Sequence, residues 1–268
     1  MMEPLPFLRW GDPGKPALVL LHGFLGHPSD WSEVAPFFGS DFDVWALDLP
    51  GHGAAHDRPQ SACSVGAAAD AVVGTMEAHG VDRFALCGYS MGGRIALHLA
   101  LHHPDRLDRL VLIGASPGLR SRQERIARQT HDRALAARLD ACSSADDVRR
   151  FLERWYAAPL WASTPDALIS DWIERRQHGD PEGWARSLRA GGTGRMTPLW
   201  DPLPDLRVPT LALHGTRDAK FAALADEMAD APRSVRAFAI ANAGHAAHAE
   251  QPVRFADAAL PFFRSPAP

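Results

Sequence analysis

The 268-residue sequence predicts an α/β fold in which helices flank a mostly parallel sheet. Two observations support this prediction. Continuous apolar runs of strand length recur along the chain, as expected for strands that are buried on both faces of a parallel sheet. Segments with helical spacing separate these runs, and this alternation is typical of parallel strands joined by helices.

The alternation is interrupted once. Strands are predicted in the first part at residues 7–10, 16–21, 42–48, 84–87 and 110–115, with helices at 30–38, 65–79 and 93–101. No strand pattern occurs from about Pro117 to Trp200, where helices are predicted at 121–139, 145–156, 165–177 and 181–189. The pattern then resumes with strands at 210–215 and 234–240 and helices at 221–228 and 252–263.

A serine motif lies between the fourth predicted strand and the helix that follows. Residues Gly88-Tyr89-Ser90-Met91-Gly92 read G-x-S-x-G. A strand before this motif and a helix after it are the context of a nucleophile elbow, in which the serine hydroxyl is exposed at the carboxyl edge of the sheet. A surface serine in a glycine-rich turn is the alternative, and the flanking elements favour the elbow.

An acid and a base follow the last two predicted strands. Asp218 comes after the strand that ends at Gly215, and His245 comes after the final strand. The order Ser, Asp, His is that of the α/β-hydrolase triad. We expect His245 to accept the proton of Ser90 and Asp218 to orient the imidazole. The alternatives are a helix N-cap for Asp218 and an ordinary loop position for its partner.

Two further features complete the expected catalytic site. His248 is a rival base that we expect near the rim of the site. The oxyanion hole requires two backbone N–H groups, which we assign to Met91 and, from the loop at residues 22–26, to Phe24. A glycine-rich turn without this role is the alternative for the loop.

The helical interruption is expected to form a cap, inserted after the sixth strand, over this site. Residues 117–200 hold 14 basic and 11 acidic residues, a net charge of +3, whereas the remainder holds 14 and 21, a net charge of −7. The predicted domains are a first part of the core at residues 1–116, the cap at residues 117–200 and a second part of the core at residues 201–268.

Cationic residues indicate the kind of substrate. Arg94 follows Ser90 by one helical turn, Lys220 follows Asp218 by two residues, and the cap helices contribute Arg128 and Arg176. Arginine in a cleft is suited to binding carboxylates. Solvated helix faces are the alternative, and we expect it to hold for other arginines of the cap. These are Arg120, Arg122, Arg149 and Arg150.

Composition excludes several other classes of protein. The net charge of −4 argues against a nucleic-acid partner, and no run of 18 apolar residues predicts a membrane span. Residues 1–6 lack the pattern of a signal peptide. Three widely spaced cysteines indicate reduced thiols in a cytoplasmic protein, and no Cys/His spacing indicates a zinc site.

Longer stretches of the sequence resemble one family. The chain is similar to the MenH-type 2-succinyl-6-hydroxy-2,4-cyclohexadiene-1-carboxylate (SHCHC) synthases, which are lyases of menaquinone biosynthesis in the α/β-hydrolase superfamily. The matching stretches are LHGFLG (21–26), DLPGHG (48–53), GYSMGGR (88–94), ASPGL (115–119), RQERIARQ (122–129), RWYAAPLW (154–161), ARSLRAGGTGRMTPLW (185–200), RDAKF (217–221) and AGHAAHAEQP (243–252). The chain departs from the family's usual residues at Ala246 and at the HGTRD stretch before the predicted acid.

The resemblance implies a lyase built on an α/β-hydrolase scaffold. It implies that pyruvate is eliminated from a polycarboxylate without a metal or an organic cofactor, with Ser90, activated by His245, as the base. By position, the implied substrate-binding residues are Tyr89, Arg94, Arg128, Trp155, Arg176 and Lys220. Two alternatives stay open: a serine hydrolase, such as a C–C bond hydrolase or carboxylesterase, and a non-catalytic receptor. The oligomeric state is not predicted.

Overall fold

The computed structural model describes residues 3–230 and 233–265. Residues 1–2, on which part of the signal-peptide prediction rests, lie outside these ranges, as do the last three residues of the predicted core. Seven strands occur in the described part of the chain. They are β1 Phe7–Trp10, β2 Ala17–Leu21, β3 Asp43–Leu47, β4 Phe84–Tyr89, β5 Leu107–Ile113, β6 Thr210–Gly215 and β7 Val235–Ile240.

The seven strands form a single sheet with the order β1-β3-β2-β4-β5-β6-β7. β1 runs antiparallel to β3, and every other neighbouring pair of described strands is parallel. All residues of β2, β3 and β6 are buried, because helices cover both faces of the sheet. The prediction of a mostly parallel α/β sheet is confirmed. Because β2 and β4 are parallel, the loops that follow them open at the same edge of the sheet. The strand order reverses between these two strands, which is where ligands bind in open α/β sheets.

The helices of the described residues pack against three apolar clusters. They are α1 Ala35–Phe38, α2 Val65–Ala78, α3 Met91–His102, α4 Arg122–Asp140, α5 Ala145–Tyr156, α6 Asp166–Arg176, α7 Pro181–Gly191, α8 Ala219–Ala229, α9 Ala247–Glu250 and α10 Pro252–Arg264. One cluster joins α2 and α3 to one face of the sheet, and a second joins α1 and α10 to the other face. Within the described ranges, none of these helices combines the length and apolarity that crossing a bilayer requires.

Helices α4 to α7 follow β5 and surround the third cluster, which contains Leu139, Phe151, Trp172 and Trp184. The expected insertion after a sixth strand is therefore corrected, since only five strands precede these helices in the described chain. Residues 3–6 form no additional strand there, because Pro4 and Pro6 lack backbone N–H donors. The boundaries proposed for a cap at residues 117–200 stay a prediction.

His248 lies on α9, deep inside the protein. Its ring centre is 4.6 Å from that of Trp31 and 4.5 Å from that of Tyr89, and the residue is only 3% exposed. The expectation that His248 lies at the rim is wrong, because aromatic rings enclose it. Burial lowers the pKa of His248 to about 3, so that the folded protein holds this imidazole neutral.

We expect His248 to make the protein sensitive to acid. The folded pKa lies below the ordinary value of about 6.5, so the unfolded chain binds a proton that the folded chain does not. This histidine should therefore lower the free energy of unfolding by up to about 1.4 kcal/mol per pH unit as the pH falls below about 6.5. Urea unfolding between pH 7 and pH 4 should show a shallower decline for His248→Phe than for the exposed control His131→Phe. Equal slopes would contradict this account.

Candidate active site

Ser90 occupies the tight turn between β4 and α3. Its φ of 51° and ψ of −103° are strained for a residue with a side chain. The turn is held by close backbone packing on both sides: a Cβ atom on Gly88 would lie 2.4 Å from the carbonyl oxygen of Gly92, and a Cβ on Gly92 would lie 2.4 Å from that of Leu21. The two glycines are therefore required where strand and helix nearly touch. The turn projects the Ser90 side chain from the carboxyl edge of the sheet.

The structure brings together the three residues of the expected triad. His245 Nε2 lies 3.1 Å from Ser90 Oγ, and His245 Nδ1 lies 2.9 Å from Asp218 Oδ2. Asp218 Oδ1 also accepts a hydrogen bond of 3.2 Å from the backbone N–H of Phe221. The carboxylate thus serves both as the N-cap of α8 and as the partner of the imidazole. Two hydrogen bonds hold it in place, as expected for a group that orients a base.

A turn after β2 leaves one backbone amide free beside the serine. Gly26 N–H donates to the carbonyl oxygen of Gly23 at 3.0 Å, and Leu25 N–H donates to His52 Nε2 at 3.2 Å. Leu25 adopts a φ of 63°, so the amide of Phe24 occupies the second position of a type II-like turn, where it makes no internal bond. In the described chain no protein acceptor binds the Phe24 amide.

At the turn around Ser90, too, the neighbouring backbone amides have acceptors and one amide is left free. Ser90 N–H donates to the Ile113 carbonyl oxygen at 2.8 Å, and Gly92 N–H donates to that of His22 at 3.1 Å. The amide between them, Met91 N–H, has no acceptor among the described residues. The Cβ that Gly23 lacks would lie 3.6 Å from Ser90 Cβ, so the two loops are adjacent. The free amides of Phe24 and Met91 are the pair expected for an oxyanion hole.

A cavity of about 620 Å³ opens above Ser90 and His245. Most of the residues expected to bind substrate or form the oxyanion hole line it. These are Phe24, Tyr89, Met91, Arg94, Arg128, Trp155 and Lys220. Several other residues that were not expected from the sequence also line the cavity, namely Arg217, Ser116, Ser163, Ser187 and Thr193.

The charges that face the cavity are unbalanced. Its described lining contains four cationic side chains and one carboxylate, that of Asp218, which is already bonded to His245. The four cations are Arg94, Arg128, Arg217 and Lys220. Arg217 immediately precedes Asp218 in the turn after β6, and this position could have indicated that it lies near the expected triad. The cavity therefore suits a ligand with several negative charges.

Two of the cations are held in fixed positions. Arg94 is 9% exposed and donates to the carbonyl oxygen of Gly191 at 2.6 Å, which joins α3 to α7. Burial and the nearby charge of Arg128 lower the pKa of Arg94 to about 10, so it remains protonated at neutral pH. Arg128 Nε donates to the buried carboxylate of Asp132 at 2.7 Å. Both guanidinium groups are thus oriented before any ligand binds.

Arg176 does not line this cavity, which corrects the expectation from the sequence. Its Nη2 donates to Asp30 Oδ2 at 2.6 Å, and its Nη1 donates to the hydroxyl of Tyr156. The Arg176 and Asp30 side chains are each 11% exposed. A buried guanidinium requires a counter-ion, and the core provides one here that residue types alone did not indicate. Arg176 instead borders a small cavity of about 20 Å³, which shares Tyr89 with the main cavity, and an open groove of about 1220 Å³ that Asp30 also lines.

Proteins with similar sequences belong to a family that agrees with this site geometry. A family model described as the alpha/beta hydrolase fold matches residues 16–252. The 2-succinyl-6-hydroxy-2,4-cyclohexadiene-1-carboxylate synthase of Pectobacterium atrosepticum is 33% identical over 255 residues, which cover 95% of this chain and 96% of that protein. The chain belongs to the SHCHC synthase family.

Solved structures of similar proteins agree with this membership. The structure of MenH from S. aureus superposes with a TM-score of 0.87 at 29% identity and covers 97% of this chain and 98% of that one. A thermophilic esterase from Thermogutta terrifontis, solved with malate bound, has a TM-score of 0.82 at 26% identity and covers 97% and 93%. The SHCHC synthase family thus shares its scaffold with an ester hydrolase, so the fold alone does not decide which reaction is catalysed.

We expect Arg128→Ala to weaken the binding of small aromatic dicarboxylates such as phthalate. Loss of one charged partner in the cavity should raise the Kd roughly ten- to a hundredfold, since a hydrogen bond to a charged group contributes about 1.5–3 kcal/mol. Calorimetric titration measures the change. Arg149→Ala is the control, because Arg149 is half exposed and pairs with Glu174 on the surface. Equal losses in the two variants would remove the argument for a carboxylate cavity.

Proposed function

We propose that this chain is a carbon–oxygen lyase of menaquinone biosynthesis. It eliminates pyruvate from 2-succinyl-5-enolpyruvyl-6-hydroxy-3-cyclohexene-1-carboxylate and yields 2-succinyl-6-hydroxy-2,4-cyclohexadiene-1-carboxylate. The observation that carries the proposal is that a Ser-His-Asp array and four cationic side chains face one cavity. The names of the similar synthases support the same reaction, and the substrate carries the several carboxylates that such a cavity suits.

The proposed reaction begins with removal of a proton from a ring carbon. His245 Nε2 accepts the Ser90 hydroxyl proton, and Ser90 Oγ takes the proton from carbon. The electron pair of the broken C–H bond forms a new ring double bond, the existing ring double bond shifts by one position toward the carbon that carries the enolpyruvyl group, and the C–O bond to that group breaks. Its electrons leave with the enolate of pyruvate, which becomes pyruvate when the proton held by the imidazolium of His245 is returned to it. Asp218 stabilises the imidazolium ion that exists during the transfer.

The other residues of the cavity have binding roles in this proposal. Arg94, Arg128 and Lys220 bind substrate carboxylates, while Tyr89 and Trp155 border the ring. Negative charge that develops as the proton leaves is stabilised by the amides of Phe24 and Met91 and by the neighbouring cations. We assign Arg217 to the same group of cations because it lines the cavity beside Asp218.

Two broader parts of the proposal concern the cap and the compartment. We propose that the helices within residues 117–200 act as the cap, since they contribute Arg128, Trp155 and Ser187 to the cavity that contains Ser90.

We propose a cytoplasmic location because Cys63 and Cys87 are buried free thiols, as expected in a reducing compartment.

A serine hydrolase is the second candidate function. The specific observation in its favour is that the triad and the two free amides form the complete machinery for attack on an ester. The likeness to a malate-bound esterase supports it as well, because that protein combines this fold with a carboxylate ligand. In a hydrolase Ser90 Oγ would bond to the substrate carbonyl carbon, whereas in the lyase it only carries a proton.

We expect the purified chain to release pyruvate from the enolpyruvyl substrate and to turn over p-nitrophenyl acetate slowly. Lactate dehydrogenase and NADH report the pyruvate, and absorbance reports the conjugated product. Ser90→Ala should lower kcat by roughly 10²- to 10⁴-fold, which is the usual contribution of a positioned base. Ser116→Ala is the matched control, since it also lines the cavity. Fast ester hydrolysis without pyruvate release would exclude the lyase and favour the second candidate.

A further inference from the structure

Asp30 lies directly beneath the turn that presents the Phe24 amide. It belongs to the single turn of 3₁₀ helix at Pro28–Trp31 that follows this loop, and its Oδ2 accepts a hydrogen bond of 3.1 Å from the backbone N–H of His27. The Cβ that Gly26 lacks would lie 2.9 Å from the same oxygen. The carboxylate therefore packs against the end of the turn and bonds to the residue that follows it.

The same carboxylate is bonded to α6 in the region proposed as the cap. Arg176 Nη2 donates to Oδ2 at 2.6 Å, and Arg175 Nη1 donates to Oδ1 at 3.1 Å. Although burial opposes its ionisation, the charges of Arg176 and Arg175 lower the pKa of Asp30. Arg176 is held in turn by the Tyr156 hydroxyl and lies over the ring of Trp172, with its Cζ 5.2 Å from the ring centre.

This arrangement leaves Arg176 poorly placed to bind a substrate at Ser90. Its Nη groups already donate to Asp30 and Tyr156. It lines a small cavity and an open groove, but it is absent from the lining of the cavity that contains Ser90. Movement toward the substrate would leave the buried Asp30 carboxylate with only Arg175 as a counter-ion, which is unfavourable. If Arg176 affects catalysis, it therefore does so through Asp30 and the loop that Asp30 holds in place.

We propose that Asp30 is a positioning residue that fixes the oxyanion turn to α6, and that Arg176 acts through Asp30 and not on the substrate. The inference rests on the proposed function, because it assigns the turn a part in stabilising the developing anion. It adds a residue that contacts neither Ser90 nor the main cavity. The Phe24 amide keeps its position only while Asp30 holds the loop that follows it.

The test is a double-mutant cycle with Asp30→Asn, Arg176→Gln and the double variant. Each single variant should lower kcat for pyruvate release roughly ten- to a hundredfold, as expected when a reacting group is displaced by about 1 Å, with KM changed less than about threefold. The double variant should be no slower than the slower single variant, because both changes break one ion pair. Asp41→Asn is the matched control, since Asp41 forms a 2.6 Å ion pair with Arg264 far from the site.

Direct binding of substrate by Arg176 predicts a different pattern. Arg176→Gln would then raise KM, while Asp30→Asn would free the guanidinium and leave kcat unchanged or lower KM. That pattern, or additive losses in the double variant, would overturn the proposal. Thermal unfolding checks each variant for a loss of fold. If one single variant does not fold, the other still decides between the two patterns, because each predicts its own split between kcat and KM.

A second readout separates this inference from the lyase proposal. The rate at which a fluorophosphonate labels Ser90 depends on the oxyanion hole and does not require the enolpyruvyl substrate. We expect Asp30→Asn and Arg176→Gln to slow labelling by similar factors and Asp41→Asn to leave it unchanged. Slower labelling in a protein that releases no pyruvate would retain the positioning role and reject the lyase. Unchanged labelling in both variants would reject the positioning role.

Discussion

The close approach of β2, β4 and α3 around Ser90 is the constraint on which the site depends. Backbone atoms at Gly88, Gly92 and Leu21 are so near one another that no side chain fits between them. This packing holds Ser90 in a conformation that a free chain would rarely adopt, with a φ of 51°. It also brings the carboxyl ends of β2 and β4 together, so that the serine hydroxyl and the free amides of two separate loops meet at one point. The surrounding core, buried on both faces of the sheet, stabilises this strained turn.

Around this rigid centre, the charges are arranged in two layers. Four cations line the cavity, and Asp218 is the one carboxylate in its described lining, although Arg128 is also paired with Asp132 behind it. Arg176 does not line this cavity and is paired with Asp30. Unbalanced charge next to the serine favours an anionic ligand, and balanced charge behind it fixes the wall of the cavity. Arg94 contributes to both layers, because it faces the cavity while bonding to the Gly191 carbonyl oxygen of α7. The position of each guanidinium, and not the number of arginines, therefore decides what it does.

Much of the fold and of the catalytic array could be predicted from the sequence, because these features rest on local patterns. Buried strands give continuous apolar runs, and the G-x-S-x-G turn requires glycines at particular positions, so the tight turn between β4 and α3 can be inferred from the sequence. Pairing between distant residues leaves no such pattern. Nothing near Arg176 indicates that Asp30, 146 residues away, is its counter-ion, and nothing near His248 indicates the rings of Trp31 and Tyr89 that enclose it. The place of the helical insertion is different, because the five strands predicted before residue 117 already place it after β5, as the structure does.

The excess of positive charge in the cavity also bears on what happens after the chemical step. Both products of the proposed reaction are anions, and each meets the same four cations that attracted the substrate. A positive potential that speeds substrate binding also retains the anionic products, so product release can become the rate-limiting step. Added salt screens exposed cations such as Arg217 and Lys220. Higher ionic strength would therefore slow substrate binding and speed product release.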